Sequence, residues 1–325
     1  AYRGCAESGT VIRDCQRMWL GPHRPRACPR TDRIPSTGDF EFAAVSAINY
    51  NRWRDMLVTP VDTQRFEWVH QHWTPRADDV FIASFPKSGT TWTQQIVRLV
   101  YSRGLIHDSD PPLLTIIPWL DDSEDLPDLS VVDSMISPRV FKSHNPYHLL
   151  PRKLTESNRL IYVTRNAKDT AVSMYFHTFG FKMYEYDEPI EHFIDEFIAG
   201  RVEYGPYWTH LKSWHIQREQ RNILVLHYEE MQADLAATVA RVARFLDQPL
   251  TNEEIERIAQ LSTFSSMKKD PRTSMQLWDE EQRKPGMPFM RKGEAGDWTN
   301  HFTLKLAQVF DNTFEAKMTG INWPW

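Results

Sequence analysis

The sequence predicts an α/β fold, a single domain in which helices flank a central parallel β-sheet. Short apolar runs, rich in β-branched and aromatic residues and each followed by polar residues, have the pattern of buried parallel strands; they lie at residues 80–85, 139–142, 159–164 and 222–227. Segments with apolar residues at helical spacing follow these runs and supply the crossovers that parallel strands need. No internal repeat divides the chain, so we expect one domain over residues 41–325, preceded by an irregular extension over residues 1–40.

Composition and charge limit the classes of function. The 325 residues are 41% hydrophobic, enough for a large core, and their formal net charge of −5 argues against general binding to nucleic acid or to anionic membranes. No apolar run approaches the roughly 20 residues needed to cross a bilayer, and the start of the chain lacks the apolar centre of a signal peptide. We therefore expect a cytoplasmic enzyme. The three cysteines, Cys5, Cys15 and Cys28, have neither the even count of a disulfide framework nor zinc-site spacing, so we assign them no role.

The stretch over residues 80–100 reads as a strand, a tight turn and a helix, and it indicates a P-loop-like phosphate site. The turn PKSG supplies a lysine charge and a glycine that lets the backbone approach a ligand closely. Unpaired N–H groups at the helix N-terminus attract anions, so the candidate phosphate-binding residues are Lys87, Ser88, Gly89, Thr90 and Thr91. A Walker A motif places its lysine after a second glycine, whereas here the lysine precedes the loop's only glycine, which argues against a P-loop kinase or NTPase. For this segment alone, a strand-turn-helix without a ligand is the alternative.

Two further predicted strands end in residues suited to chemistry at the sheet edge where ligands bind in open α/β sheets. Lys142 and His144 are two apart on an extended chain, so their side chains share a face. Histidine is the usual general base near neutral pH. Arg165 ends the next strand and Ser173 lies two helical turns later, a pair that suits a terminal phosphate. The alternatives are a histidine packed in the core and an arginine paired with Asp169.

Other polar groups are weaker candidates for a site. His70 and His72 lie two apart, which sends them to different faces of a helix, so we do not expect a metal there. For the acidic cluster in a loop over residues 108–130, a solvated surface is a commoner explanation than a divalent ion; its members are Asp121, Asp122, Glu124 and Asp125. From residue 262 to residue 290 the periodicity is lost, which predicts a long loop acting as a lid. It leads into Arg291, Lys292 and Gly293, two cations and a glycine that leaves room for a phosphate.

The remaining segments predict further helices. Helical spacing, with irregular stretches, occurs at residues 48–57, 63–73, 191–217, 234–246 and 302–314. The third of these segments is broken at Gly205 and Pro206. Thr251 and Glu254 have the spacing of a capping box at the start of one more helix.

Taken in order, these strings resemble the cytosolic sulfotransferase family, enzymes that use 3′-phosphoadenosine 5′-phosphosulfate (PAPS). FPKSGTTW is similar to the family's 5′-phosphosulfate loop, RNAKDTAVSMY to its 3′-phosphate segment, and RKGEAGDWTNHFT to its RKGxxGDWKNxFT signature. KSHNPYHLLP resembles the family's K-[ST]-H-L-P catalytic segment. The resemblance covers roughly residues 75–303, and it implies the sulfotransferase fold with a catalytic domain over residues 41–325.

The resemblance also implies roles for the matching residues. His144 would be the catalytic base, Lys87 and Lys142 would offset negative charge, and Ser173 would restrain Lys87 until the acceptor binds. The implied PAPS-binding residues are Lys87, Ser88, Gly89, Thr90 and Thr91 for the 5′-phosphosulfate, Trp92, Tyr204, Ser262 and Phe264 for the adenine, and Arg165, Ser173, Arg291, Lys292 and Gly293 for the 3′-phosphate. The product would be adenosine 3′,5′-bisphosphate (PAP). No metal is implied, because the lysines and the helix N-terminus supply the positive field.

The implied reaction is sulfuryl transfer by in-line displacement to a hydroxyl or amine of a small acceptor. Five aromatic residues suggest that the acceptor is hydrophobic, although such residues are also common in cores; they are Trp119, Phe141, Tyr147, Phe176 and Phe179. Two other interpretations stay open. One is a nucleotide-binding protein that has the fold without the activity, and the other is a carbohydrate sulfotransferase of the secretory type, usually membrane-anchored and using a carboxylate base.

The chain departs from the family's pattern at three places. Asn145 stands where leucine is usual after the histidine, and Thr299 replaces the lysine of GDWKN. Of the family's K-x-x-x-T-V-x-x-x-E dimer motif only Thr303 matches, and the other positions hold Thr299, Leu304 and Gln308. The motif therefore gives little support to the family's usual dimer.

Overall fold

The computed structural model describes residues 48–61, 63–121, 129–275 and 281–321. All of these residues belong to one compact unit. The predicted extension over residues 1–40, with its three cysteines, lies outside the described residues, as do Asp122, Glu124 and Asp125 of the acidic cluster. The domain boundary near residue 40 stays a prediction.

A parallel β-sheet forms the centre of the described unit, which confirms the predicted fold class. The strands are β1 (Asn51–Trp53), β2 (Met56–Val58), β3 (Val80–Ser84), β4 (Val140–Ser143), β5 (Arg159–Thr164) and β6 (Ile223–His227). The last four form the sheet, in the spatial order β4-β3-β5-β6. Phe81 of β3 pairs with Phe141 on one side and Leu160 on the other. The central strands β3 and β5 are almost wholly buried, as expected where helices cover both faces of a parallel sheet.

Helices connect these strands and cover them. They are α1 (Gln64–His72), α2 (Thr90–Tyr101), α3 (Leu113–Ile116), α4 (Ser130–Ser134), α5 (Ala167–Gly180), α6 (Ile190–Ile198), α7 (Tyr207–His215), α8 (Tyr228–Ala233), α9 (Leu235–Phe245), α10 (Asn252–Leu261), α11 (Phe264–Lys269) and α12 (Leu304–Lys317). The predicted capping box is present at α10, where Thr251 Oγ1 accepts from Glu254 N at 3.2 Å and Glu254 Oε2 accepts from Thr251 N at 2.8 Å. The predicted break at Gly205 and Pro206 separates α6 from α7.

The sheet separates two apolar layers. Side chains alternate along β3, so Phe81 and Ala83 enter one layer while Val80 and Ile82 enter the other. Helices α2, α9 and α10 pack on the second layer, and α6 and α7 bring aromatic residues to the first. Because both faces are covered, the carboxyl edge of the sheet is the accessible place for a ligand.

The segment over residues 48–57 differs from its prediction as helical or irregular. It contains the antiparallel hairpin β1–β2, in which Trp53 pairs with Met56. Both of these side chains are buried against the main core, and Arg54 in the turn between them has a φ of 53°. Burial of the two side chains, which depends on distant parts of the chain, outweighs the weak local helical pattern.

The predicted loops also contain more regular structure than expected. The stretch over residues 262–290 includes α11, whose N-cap Thr263 accepts a hydrogen bond from Ser266 N at 3.3 Å. The loop over residues 108–130 includes α3. Both helices have fewer than seven residues, too short for their periodicity to be read from the sequence.

Within the described ranges, no helix is both long enough and apolar enough to cross a membrane. The same part of the chain contains no group of three or more His, Cys, Asp or Glu side chains that could hold a metal ion. His70 is buried, with its Nδ1 2.8 Å from Leu150 O, so the ring has a structural contact.

Candidate active site

A tight turn between β3 and α2 forms the predicted phosphate loop. Gly89 caps α2 with a φ of 115°, and Lys87 also has a positive φ, 67°. The positive φ favours glycine there, and a Cβ would be in tight contact, 3.0 Å from Tyr228 Cδ2. The Ser88 hydroxyl is buried and has no hydrogen-bond partner among the described residues. Together with the N–H groups at the start of α2, this hydroxyl forms a set of donors suited to an anion.

The first turn of α2 carries the other predicted residues of this segment. Thr90 is buried, with its Oγ1 2.5 Å from Ser84 Oγ, whereas Thr91 is partly exposed. Trp92 Nε1 donates to Ser262 O at 2.7 Å. The structure thus brings together Trp92 and Ser262, two of the residues predicted to contact adenine.

Two lysine side chains lie near the loop, Lys142 buried and Lys87 partly buried. Lys87 Nζ is 4.0 Å from the centre of the Phe289 ring, and Lys142 Nζ is 4.0 Å from the centre of the Trp119 ring. Burial lowers the pKa of Lys87 to about 7, and the charges of Arg283 and Lys142 contribute to the shift. Because a nearby negative charge would favour the ammonium form again, this environment favours an anionic ligand.

His144 follows β4 at the same edge of the sheet. Its Nδ1 lies 2.9 Å from Ser84 O, and since a carbonyl can only accept, Nδ1 carries the proton and Nε2 keeps its lone pair. The residue is 7% exposed, and its ring packs edge-on against Trp119 at 5.1 Å. Burial and the charge of Lys142 hold the pKa of His144 well below its ordinary value. The ring is therefore neutral near pH 7 and able to accept a proton.

Arg165, at the tip of β5, links the phosphate loop to a distant segment. Its Nη1 donates to Lys87 O at 3.3 Å and its Nη2 donates to Glu294 O at 2.7 Å. Asp169, the alternative partner suggested by the sequence, instead accepts from Gly296 N at 2.6 Å and from Trp298 N at 2.9 Å. These contacts bring together the three predicted cofactor segments, which are far apart in sequence.

The two cations before Gly293 are held by one carboxylate. Arg291 Nη2 donates to Asp297 Oδ2, and Lys292 Nζ donates to Asp297 Oδ1 at 2.5 Å. Burial alone would raise the pKa of Asp297, but hydrogen bonds from Lys292, Asn300 and Arg291 lower it far below its ordinary value. The carboxylate is ionised at any pH near neutrality and keeps both cations in place at this edge.

Gly293 allows close packing within the protein, and its predicted place beside a phosphate stays a prediction. It has a φ of 72°, and a Cβ on it would lie 2.1 Å from Phe264 Cδ2. The space that the missing side chain leaves is therefore taken by the Phe264 ring. Phe264 opens α11, so the glycine allows the segment over residues 291–293 to pack against this helix.

Comparison with known proteins adds to this geometry. A family model described as a sulfotransferase domain matches residues 77–322. The chain belongs to the sulfotransferase family. This sulfotransferase is 35% identical to Sulfotransferase 1E1 of Bos taurus over 250 residues, which are 75% of this chain and 85% of that protein. It is 34% identical to the 3-alpha-hydroxysteroid sulfotransferase of Cavia porcellus over 256 residues, 78% of this chain and 88% of that protein.

A solved structure agrees with the sequence comparison. Mouse sulfotransferase SULT7A1, complexed with PAP, superposes on this sulfotransferase with a TM-score of 0.69 and 26% sequence identity, covering 84% of this chain and 95% of that one. The family and the fold together show that the protein is an enzyme that transfers a sulfuryl group to an acceptor.

Tyr228 of the sulfotransferase lies at this edge of the sheet but was not among the predicted site residues. Its ring packs edge-on against Trp92 at 5.2 Å, and the Arg165 guanidinium lies 4.2 Å from its centre. Tyr228 follows β6 directly, so the rule that ligands bind at the carboxyl ends of parallel strands would have singled it out.

Tyr204, by contrast, lies beside the candidate base of the sulfotransferase. Its ring is 5.5 Å from His144 and 6.2 Å from Trp119, centre to centre. Tyr228 has a ring contact with Trp92. The position of Tyr204 beside the adenine stays a prediction.

The aromatic residues suggested for the acceptor pocket separate in the structure of the sulfotransferase. Trp119 faces His144, as a pocket residue would. The other four pack elsewhere: Phe141 against Trp73 and Phe81, Tyr147 against Trp214, Phe176 beneath Arg291, and Phe179 beneath Lys284. Ser173 lies two turns into α5 and is partly exposed.

Proposed function

We propose that this sulfotransferase takes its sulfuryl group from PAPS and transfers it to a hydroxyl, or an amine, of a small hydrophobic acceptor. The observation that carries the proposal is the hydrogen bond between His144 Nδ1 and Ser84 O, at 2.9 Å. Ser84 is the last residue of β3, and the phosphate loop follows it directly. The candidate base is thus hydrogen-bonded to the strand that leads into the loop with Lys87. PAPS and the acceptor molecule would therefore meet at one edge of the sheet.

Buried polar groups at this edge support binding of a phosphorylated nucleotide. Three of them have no hydrogen-bond partner among the described residues: Ser88 Oγ, Arg165 Nε and Ser262 Oγ. Because buried donors are almost always paired, a ligand with several phosphate or sulfate oxygens suits them. The PAP bound to SULT7A1 also supports this choice of donor. The residues proposed to hold PAPS are those of the sequence prediction, with Tyr228 added beside Trp92.

The chemistry that we propose uses three side chains near this edge of the sheet, His144, Lys87 and Lys142. PAPS would supply an activated sulfuryl group with PAP as its leaving group. His144 Nε2 takes the proton of the acceptor hydroxyl. Lys87 and Lys142 offset the negative charge that develops on the transferred group and on the departing phosphate. As in phosphoryl transfer, in-line displacement depends mainly on positioning and charge neutralisation.

Three finer features belong to the same proposal. Ser173 restrains Lys87 until the acceptor is bound. No metal takes part, because the two lysines and the N-terminus of α2 supply positive charge. The rings of Trp119 and Tyr204 beside His144 give the acceptor an apolar wall, and the relative named as a hydroxysteroid sulfotransferase supports a hydrophobic alcohol as acceptor. The cytoplasmic location stays a prediction.

The test is a screen with PAPS against phenols, alcohols, amines and sugars, with mass spectrometry to detect the added sulfate. We expect transfer to hydrophobic hydroxyl compounds, and the same rate with and without EDTA. Transfer that requires magnesium would favour a P-loop type of mechanism. Tight PAP binding without transfer to any of these compounds would contradict the proposed acceptor class, and so would transfer to sugars alone.

A further inference from the structure

One face of α7 touches the carboxyl ends of three neighbouring strands. Tyr207 OH donates to the carbonyl of Arg165, the residue after β5. One turn further on, His210 Nε2 lies 3.0 Å from the carbonyl oxygen of His144, the residue after β4. Phe85, the residue after β3, packs edge-on against both rings, at 4.9 Å from Tyr207 and 5.5 Å from His210. A single helix thus contacts the three strand ends at which the candidate site is built.

Trp214, one turn later on the same face of α7, makes a further contact with this edge of the sheet. Its Nε1 donates to Asn145 O at 3.3 Å, and its ring stacks on Tyr162 at 4.5 Å with an angle of 6° between the planes. Tyr207, His210 and Trp214 are spaced by three and four residues, so they lie on one face of the helix. Each is at most 1% exposed. Their polar atoms satisfy carbonyls that have left the ladder of the sheet.

His210 acts as a donor on one side and as an acceptor on the other. Because the His144 carbonyl can only accept, Nε2 of His210 carries the proton. Nδ1 of His210, 3.0 Å from Tyr162 OH, then accepts from that hydroxyl. Burial lowers the pKa of His210 to about 3, so near neutral pH the ring has one N–H and this arrangement is fixed. Two directed hydrogen bonds therefore lead from Tyr162 through His210 to the backbone of His144.

We infer that α7 sets the separation between His144 and Arg165, and that His210 is a positioning residue for the catalytic base. The inference rests on the proposed function, which gives the His144 ring a task that depends on its placement. His144 is held at two points, its ring by Ser84 O and its carbonyl by His210. Losing the second contact lets the turn after β4 move, and a displacement of about 1 Å at a reacting group can cost on the order of 100-fold in rate.

A purely structural role for the same donors predicts a different result. A buried carbonyl that loses its partner destabilises the fold, which lowers the amount of folded enzyme without changing the turnover of each folded molecule. Positioning predicts instead that turnover per folded molecule falls. It also predicts that two residues of α7 affect different properties. Tyr207 holds the strand end that bears Arg165, so its loss should weaken PAP binding. His210 holds the strand end that bears the base, so its loss should lower turnover.

The test compares His210→Phe with His210→Gln. Phenylalanine keeps an aromatic ring and removes the donor, whereas glutamine offers an N–H close to the position of Nε2. His215→Phe makes the same change at the end of the helix, at a partly exposed residue outside the site, and is the matched control. For each variant, kcat and KM are measured with PAPS and the hydroxyl compound of highest turnover in the screen. The Kd for PAP is measured by calorimetry and the folded fraction by circular dichroism.

We expect kcat of His210→Phe to fall about tenfold or more, with an unchanged Kd for PAP, and His210→Gln to recover most of the loss. His215→Phe should behave as the unmodified enzyme. Tyr207→Phe should show the opposite pattern, with weaker PAP binding and a smaller effect on kcat. An unchanged kcat in folded His210→Phe, or an equal loss in His210→Gln, overturns the inference.

Two further variants complete the design. If His210→Phe does not fold, Trp214→Phe gives the same readout, because it removes the donor to Asn145 and keeps a ring against Tyr162. His144→Ala separates this inference from the proposed function. Near-native turnover in His144→Ala would show that the proposed base is wrong, whereas a large loss there with an unchanged kcat in His210→Phe would overturn the positioning role alone.

Discussion

Lys87 Nζ lies 3.4 Å from Nδ1 of His177, a residue of α5 that the sequence analysis did not single out. Burial, together with the charges of Lys87 and Arg283, holds the pKa of His177 well below its ordinary value, so the imidazole is neutral. A neutral ring nitrogen is an acceptor for the Lys87 ammonium. The loop lysine therefore has an acceptor within the protein, and because its pKa is about 7 its charge depends on pH in the neutral range.

We expect the affinity for PAP to fall as the pH rises above about 7. In the free enzyme the pKa of Lys87 is about 7, and bound phosphate raises it because a neighbouring negative charge favours the ammonium. Binding therefore takes up a proton between the two pKa values, so affinity decreases with rising pH in that window. Below the lower pKa, Lys87 is charged in both states and adds no pH dependence. Calorimetry of PAP binding in buffers of different ionisation enthalpy measures the proton uptake.

Lys87→Arg is the control for this prediction, because arginine stays charged throughout the range. Its proton uptake on binding PAP above pH 7 should disappear, and its affinity should depend less on pH. Equal proton uptake by the two proteins would assign the effect to another group.

Replacement of His144 by alanine should lower kcat by roughly 100- to 10,000-fold, the usual loss on removing a general base. The affinity for PAP should not change, because the base does not hold the nucleotide in the proposed arrangement. The pKa of His144, held well below its ordinary value by burial and Lys142, also predicts that the acidic fall in kcat/KM for the acceptor lies below pH 6.5, the ordinary histidine pKa. Single-turnover rates across that pH range check the loss of kcat and the position of the acidic fall. Near-native turnover of His144→Ala would refute the assignment of His144 as the base.

The sequence predicted those parts of the site that lie within short continuous strings. The loop over residues 85–91 is such a case, because strand, turn and helix are neighbours in the chain and the anion site follows from helix geometry. The capping box at Thr251 is another, since it needs only residues three apart. Such features depend on local chemistry that is the same in any fold.

Contacts between distant segments were not predictable in the same way. Tyr228 meets Trp92 only because β6 lies beside β5 in the sheet. Trp53 and Met56 form a hairpin because the core buries them, not because their local pattern favours a strand. Arg165 takes carbonyl partners from two other segments where the sequence offered Asp169 as a near neighbour. In each case the deciding partner is far away in the chain.

Lys292→Ala should weaken PAP binding by about 1–3 kcal/mol if this lysine pairs with the 3′-phosphate. Asp297 already holds the Lys292 ammonium at 2.5 Å, so the charge is in place before the ligand arrives. Affinity for adenosine 5′-phosphosulfate, which lacks the 3′-phosphate, should be unaffected by the change. Lys305→Ala removes an exposed lysine at the start of α12 and is the matched control. Equal losses with and without the 3′-phosphate would place Lys292 elsewhere on the nucleotide.

Gly293→Ala should destabilise the protein more than Gly296→Ala does. The two glycines have similar backbone angles, with φ of 72° and 81°, so alanine meets a similar conformational cost at both. A Cβ at Gly293 would lie 2.1 Å from Phe264 Cδ2, whereas a Cβ at Gly296 would have nothing within 4 Å. The extra cost of displacing the Phe264 ring should be about 1–3 kcal/mol in the free energy of unfolding. Urea denaturation of the two variants measures this difference, and PAP binding should weaken in Gly293→Ala alone because Phe264 moves. Equal destabilisation of the two variants would mean that Phe264 is not packed against Gly293 in solution.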